Sequence, residues 1–291
     1  MKLTRLLARV KNLDIISKGL VDSLLAGNYR TVFKGPGLEF SEVRAYVEGD
    51  DPRHIDWNVT SRSGETFTKT YHEEREVNVF LLVDMSASVF SRRGNAQLSE
   101  VADLIFSVFA LAAVNNNDKV GACFFTDRIE RWVPPLRGRR HALRLIQDLL
   151  EHKAEGKGSD LGLALRTTGE ALKRRGICVI LSDFKTSDYL KDLDHLARHH
   201  DVIAIRLVPA EDLAFPHVGM VHMEDVETGR IINGFGNNHN FRRAFRDYWL
   251  VQRKAWFRDV RRLRVASLEI RSDEDALAKL SQFFHRRRVH R

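Results

Sequence analysis

Between residues 67 and 208 the chain alternates short apolar runs with helical patterns, and no other feature constrains its fold as tightly. Residues 77–83 and 177–181 are nearly continuous apolar runs, the pattern of strands buried on both faces. Further strands are predicted over 67–71, 120–125, 129–133 and 202–208, the run at 129–133 being ended by Pro134-Pro135. Helical spacing covers 97–114, 139–151, 160–174 and 188–199. Strands and helices in this order build βαβ crossovers and a mostly parallel sheet with helices on both faces. Beyond it, 218–226 and 230–233 read as a β-hairpin, 240–262 as a long basic helix and 267–270 as one more strand. Residues 273–284 read as a last helix capped by Asp273, followed by a frayed basic tail at 286–291.

The N-terminal part has another character. Residues 3–25 place apolar groups at helical spacing with a basic opposite face, which predicts a docked amphipathic helix. Residues 34–66 are crowded with turn formers and charges, including Gly35-Pro36-Gly37 and Gly49-Asp50-Asp51-Pro52. This segment is expected to be mostly irregular and to wrap around the α/β domain. Three regions result: 1–75 with the helix and the polar segment, 76–210 as the α/β core, and 211–291 as hairpin, basic helix and C-terminal extension.

Composition removes several classes. A hydrophobic fraction of 43% and a charged fraction of 30% exclude a chain disordered throughout. Cys123 and Cys178 both sit in apolar runs and form no Cys-x-x-Cys pair, so they read as buried thiols of a reducing compartment. The most apolar stretch, 105–114, is far shorter than the ~20 residues a bilayer needs. Arg9, Lys11 and Asp14 interrupt what would be a signal peptide's apolar core, so a cytoplasmic location is expected.

The net charge of +8 is unevenly spread. Residues 241–291 hold 15 Lys+Arg and 6 Asp+Glu, or +9, which leaves 32 basic and 33 acidic residues elsewhere. The basic end suits an acidic protein partner or an anionic membrane surface. Nucleic acid is the weaker reading, because interleaved aromatic platforms, a helix-turn-helix signature and a zinc site are all lacking.

The chemistry concentrates at Asp84-Met85-Ser86-Ala87-Ser88, directly after the apolar run at 77–83. Ligands of open α/β sheets bind beyond the carboxyl ends of the strands. One carboxylate and two hydroxyls on one loop form an all-oxygen set, which suits a hard cation such as Mg²⁺. Ser159, in Gly158-Ser159-Asp160, and Asp183, after the run at 177–181, are expected to face the same spot. Two carboxylates would neutralise a divalent ion and leave a coordination position for a partner's Asp or Glu. Otherwise, Ser86 and Ser88 cap the next helix and Asp84 holds a turn.

Asp84-x-Ser86-x-Ser88 resembles the metal-ion-dependent adhesion site of von Willebrand factor A-like domains. Upstream, Gly37-Leu38-Glu39-Phe40, Arg44-x-Tyr46, Gly49-Asp50-Asp51-Pro52-Arg53-x-Ile55-Asp56-Trp57 and Arg62 resemble the hallmark of the domain-of-unknown-function 58 family. That likeness continues through His72-Glu73-Glu74-Arg75-Glu76 into the Asp84 motif. It implies a von Willebrand A-like, Rossmann-like fold with a mostly parallel sheet. It also implies a prokaryotic, non-enzymatic adaptor paired with a MoxR-type AAA+ ATPase in chaperone-like assembly or activation of a client protein. The metal site so implied comprises Asp84, Ser86, Ser88, Ser159 and Asp183, holding Mg²⁺, or Mn²⁺ or Ca²⁺; Ser159 stands where many related sites have Thr. In the upstream segment, Arg44, Arg53 and Arg62 can pair with Glu39, Asp50, Asp51 or Asp56. These residues, with Trp57, form either a structural clasp or a docking surface for the ATPase or client.

Two enzyme readings are weaker. Haloacid-dehalogenase-type phosphatases carry a second Asp two residues after the first, where this chain has Ser86. Gly156-Lys157-Gly158-Ser159 lacks the first Gly of a P-loop, and its Lys is not followed by Ser or Thr. His195 and His199 are one helical turn apart but read as a solvated face. The alternative to a metal-dependent adaptor is a metal-free scaffold that uses the polar N-terminal segment and the basic C-terminal face.

Overall fold

The apolar run at 77–83 becomes the central strand of a six-stranded sheet. The computed structural model describes residues 38–73, 77–90, 96–212, 219–224, 231–235 and 237–289. The predicted helix at 3–25 lies outside them. The described residues fall into two compact units, one within Leu25–Glu76 and one from Val77 onward.

In the first unit, β1 (Leu38–Ala45) pairs antiparallel with β2 (Phe67–Glu73), and a short helix α1 (Trp57–Ser63) lies between them in sequence. The expectation of a mostly irregular segment is therefore corrected. A strand in a two-stranded ribbon needs few apolar groups, and a bulge between Phe40 and Glu42 resets its alternation, which hid it in the pattern. The signature residues work as turn chemistry. Gly49 sits at φ +108°, a backbone region that favours glycine. Asp50 accepts from Val47 N at 3.0 Å and pairs with Arg44 at 2.7 Å. Asp51 caps the 3₁₀ turn Pro52–His54 and pairs with Arg53 at 2.8 Å, which holds its carboxyl down at about 2. Asp56 caps α1 by accepting from Asn58 N and Val59 N at 3.0 and 3.3 Å. Five of the expected partner-binding residues thus have local partners within their own unit. Trp57 stands out, 69% exposed at the first position of α1, and Arg62 is exposed in its last turn. Glu39 lies on β1.

The second unit holds β3 (Asn78–Asp84), α2 (Ala87–Phe90), α3 (Ala96–Asn115), β4 (Lys119–Phe125), β5 (Ile129–Leu136), α4 (Arg139–Glu151) and α5 (Leu161–Ala171). It continues with β6 (Ile177–Ser182), α6 (Leu190–His199), β7 (Asp201–Val208), β8 (Met220–Glu224), β9 (Ile231–Phe235), α7 (His239–Arg262), β10 (Ala266–Arg271) and α8 (Ala276–Val289). The sheet order is β10-β7-β6-β3-β4-β5, parallel throughout except for β5 against β4. β8 and β9 form a separate antiparallel pair. This is an α/β fold with a mostly parallel six-stranded sheet flanked by helices.

Phe80, Leu82, Cys123, Phe125, Cys178 and Ile180 face Leu161, Leu165, Leu193 and Trp256 in one apolar layer. Across the sheet, Phe106 of α3 meets Phe124 at 5.9 Å, and Phe109 meets Phe284 of α8 at 6.0 Å. α3 is therefore apolar nearly all round. The sequence estimate of its apolar stretch, 105–114, was too short. Gln97–Asn115 is long and apolar enough to cross a membrane by length and composition, but 67% of that window is buried within the fold.

Three ends differ from expectation. β5 runs through Pro134-Pro135 to Leu136, because an edge strand has one side on which a missing N–H breaks no ladder bond. The last helix is capped by Asp275, which accepts from Leu277 N and Ala278 N, while Asp273 instead pairs with Arg271. α8 also continues into the basic tail as far as Val289, anchored by an ion pair between Arg287 and Asp201.

Candidate functional site

β3 is the strand from which the chain departs to β4 on one side, while β6 flanks it on the other. Its carboxyl end is therefore a switch point, where neighbouring loops diverge and leave room for a ligand. β3 ends on Asp84 and β6 ends on Ser182, with Asp183 next. Parallel pairing between these strands brings both ends to one rim.

The side chains converge there. Asp84 and Ser86 are fully buried, as is Ser182, and Asp183 is 3% exposed. Asp84 Oδ1 accepts from Ser86 N at 3.0 Å, which turns the loop so that the Ser86 and Ser88 hydroxyls meet at 3.1 Å. Asp84 Oδ2 accepts from Ser159 Oγ at 2.8 Å and from Ser182 Oγ at 2.7 Å. Ser182 Oγ in turn accepts from Phe184 N at 3.0 Å. Asp183 Oδ1 accepts from Lys185 N at 3.1 Å, whereas its buried Oδ2 has no hydrogen-bond partner. Burial first, and then the neighbouring charge of Asp183, push the Asp84 carboxyl up to about 6, against the hydrogen bonds of Ser86 and Ser182.

The surrounding loops are fastened from several sides. Met85 N donates to Phe125 O at 2.7 Å, and Ala87 N to Lys157 O at 3.1 Å. Thr186 Oγ1 donates to Ser159 O at 2.9 Å. The loop before Ser159 is held by Glu130, whose Oε1 accepts from Gly156 N and Thr126 Oγ1, both at 2.8 Å, and from Glu155 N at 3.1 Å. Glu130→Ala removes the acceptor of the Gly156 and Glu155 amides, while Thr126 Oγ1 keeps Asp127 Oδ1 at 3.2 Å. It is expected to cost about 1–3 kcal/mol in urea unfolding, and a cost below that range would mean the loop is held by other contacts. Phe184 adopts φ +55°, a region costing a bulky residue roughly 1–2 kcal/mol. Its ring packs 5.2 Å from Trp256 and 5.8 Å from Tyr189, which holds the turn after Asp183 in place.

All five expected metal residues thus lie in one constellation built on three loops. Sequence reasoning did not assign a role to Ser182 or to Thr186. Ser182 was detectable as a polar residue closing an otherwise apolar buried strand. Thr186 carried no signal, because its role depends on where the loop folds. Among the described residues, no three or more His, Cys, Asp or Glu gather as a metal-holding group. A cation here would depend on serine hydroxyls beside two carboxylates. The set is chemically suited to a hard ion: all its donors are oxygens, its two carboxylates repel, and one buried carboxylate oxygen is unmatched.

Comparisons with known proteins give the following. The profile of the family described as "Protein of unknown function DUF58" matches residues 42–255. Uncharacterized proteins of Mycobacterium tuberculosis and Mycobacterium bovis are each 30% identical over 288 residues, covering 98% of this chain and 90% of theirs. Among solved structures, an aerotolerance-related membrane protein from Bacteroides fragilis aligns at 13% identity and a TM-score of 0.48, covering 74% of this chain and 100% of that one. BatB from Bacteroides thetaiotaomicron aligns at 15% identity and a TM-score of 0.42, with the same coverage of 74% and 100%. With most of its length matched by the profile and nearly all of it by the mycobacterial relatives, the chain belongs to the DUF58 family.

Proposed function

We propose that this protein is a cytoplasmic, non-enzymatic adaptor that binds partner proteins through a metal ion. The observation that carries the reading is the buried pair Asp84 and Asp183 with three serine hydroxyls around it, and an Asp183 oxygen without a partner. Asp84, Ser86, Ser88, Ser159 and Asp183 would hold Mg²⁺, with Mn²⁺ and Ca²⁺ as the other hard cations that suit oxygen ligands. When bound, the cation supplies positive charge and an open position for an anionic oxygen, here the carboxylate of a partner. The chain's own part is preorganisation. Ser182 and the Ser86 N–H orient Asp84, Thr186 fastens the backbone at Ser159, and Lys185 N orients Asp183.

The partner we propose, on the family resemblance, is a MoxR-type AAA+ ATPase, with the pair assembling or activating a client protein. The test is binding of that ATPase from the source organism, measured in Mg²⁺ and in EDTA, for wild type and Asp84→Ala. Affinity is expected to fall about tenfold or more in EDTA and in the variant. Equal binding in all four cases would contradict the metal reading. It would favour the second reading, a metal-free scaffold, to which exposed Trp57 on the polar N-terminal unit and the basic C-terminal residues contribute.

A further inference from the structure

A cavity of about 410 Å³ opens between the segment 184–190 and helix α7, with Arg206 of β7 on its wall. None of the five proposed metal residues lines it. Arg206 is 5% exposed, and its guanidinium lies 5.5 Å from the Trp256 ring centroid. Its nearest ion-pair carboxylate, Glu269, is 3.9 Å away and takes a 2.6 Å hydrogen bond from Arg253 instead. Arg206 Nε and Nη1 are consequently buried with no acceptor. The Trp249 indole N–H, on the facing helix, is buried without one too. Lys185 Nζ lies 4.5 Å over the Trp249 ring and pairs with Asp212 at 3.0 Å.

Acidic groups line the same cavity without satisfying these donors. Asp259 accepts from Arg258 at 3.0 Å, and Asp188 from the Ser187 hydroxyl at 3.2 Å. Guanidinium and indole groups can only donate. A buried donor left unmatched carries its full desolvation penalty, so the ligand that fits is an acceptor, and a charged one gains most. The rim indicates a protein source for it. Tyr248 lines the cavity and is 57% exposed, Val251 follows three residues on along α7 at 64%, and α7 itself carries eight Lys+Arg against two Asp. Aromatic and apolar groups beside a buried Arg are the make-up of an interface centre.

We propose that this cavity is a second docking point, independent of metal, where an Asp or Glu side chain on an acidic segment of a partner protein bonds to Arg206 and the Trp249 indole while neighbouring apolar side chains cover Tyr248 and Val251. The test follows the Trp249 indole N–H by NMR in the full chain, in EDTA, with the signal assigned through Trp249→Phe. The probes are Ac-Leu-Glu-Glu-Leu-NH₂, its Gln analogue and sodium acetate. A saturable shift is expected with the Glu peptide. Binding should be at least about tenfold weaker for the Gln peptide, for acetate and in Arg206→Met. Binding should be the same in EDTA and in Mg²⁺, so failure of the metal site would leave this result intact. If Arg206→Met does not fold, Ala255→Phe, which fills the cavity from α7, serves the same purpose. No movement of the signal at millimolar Glu peptide, equal binding of the Gln peptide, or unchanged affinity in the variants would overturn the proposal. Acetate binding as tightly as the peptide would overturn the partner segment as its ligand.

Discussion

Asp183→Asn is expected to stabilise the metal-free protein by about 1–2 kcal/mol at pH 7 while removing its response to Mg²⁺. The first effect follows from the geometry at the strand ends. Asp84 is wholly buried and Asp183 nearly so, and Asp183's charge helps raise the Asp84 carboxyl from 3.8 to about 6. A folded-state value above the unfolded one means that protonation favours the fold. That contribution is complete below about pH 3.8 and is lost as pH rises through about 6. Removing the charge of Asp183 relieves the repulsion only where Asp84 is ionised. The stability gap between variant and wild type should therefore open between about pH 4 and pH 7, measured by urea unfolding in EDTA. A variant less stable than wild type at pH 7 would mean that the Asp183 charge is compensated within the fold and that the site is not strained toward a cation.

Phe80→Ala is expected to cost about 3–5 kcal/mol, a large share of the 5–15 kcal/mol that holds an ordinary domain together. Phe80 is fully buried on the central strand, with its ring 4.6 Å from that of Trp132. It fills space that Gly121 leaves open on the neighbouring strand. A Cβ at Gly121 would stand 2.9 Å from Phe80 Cδ2 and 2.7 Å from Pro135 N. The backbone of β5 and the Phe80 ring are thus fitted to one another, and the hole left by alanine cannot close by a simple shift. The guanidinium chloride midpoint should fall accordingly. A loss below about 1 kcal/mol would mean that this layer repacks freely.

The parallel sheet was legible because burial on both faces forces long apolar runs, and 77–83 and 177–181 have almost nothing else. The Asp84 loop was legible for a related reason: polar groups directly after such a run have to lie at the sheet's rim. Other features depend on long-range context. β1 carries Glu39, Glu42 and Arg44 and looks like a loop until β2 is placed beside it. The strand through Pro134-Pro135 is tolerated only because β5 is an edge, which local pattern does not reveal. The frayed tail expected at 286–291 ignored Asp201, eighty-six residues away from Arg287 in the chain. Ser182 has no role assigned from the sequence, since a hydroxyl at a strand end has no distinctive spacing. Its hydrogen bond to Asp84 spans ninety-eight residues.

The most direct measurement is thermal unfolding against Mg²⁺ and Mn²⁺, with wild type and Asp84→Ala in parallel. A ligand at one hundred times its dissociation constant stabilises the folded state by about 2.7 kcal/mol, which is a shift of several degrees in a chain of this size. The wild type should rise in melting temperature with added metal while Asp84→Ala stays flat. A wild type that ignores both ions, or a variant that responds as strongly as wild type, would contradict a metal site at Asp84 and Asp183.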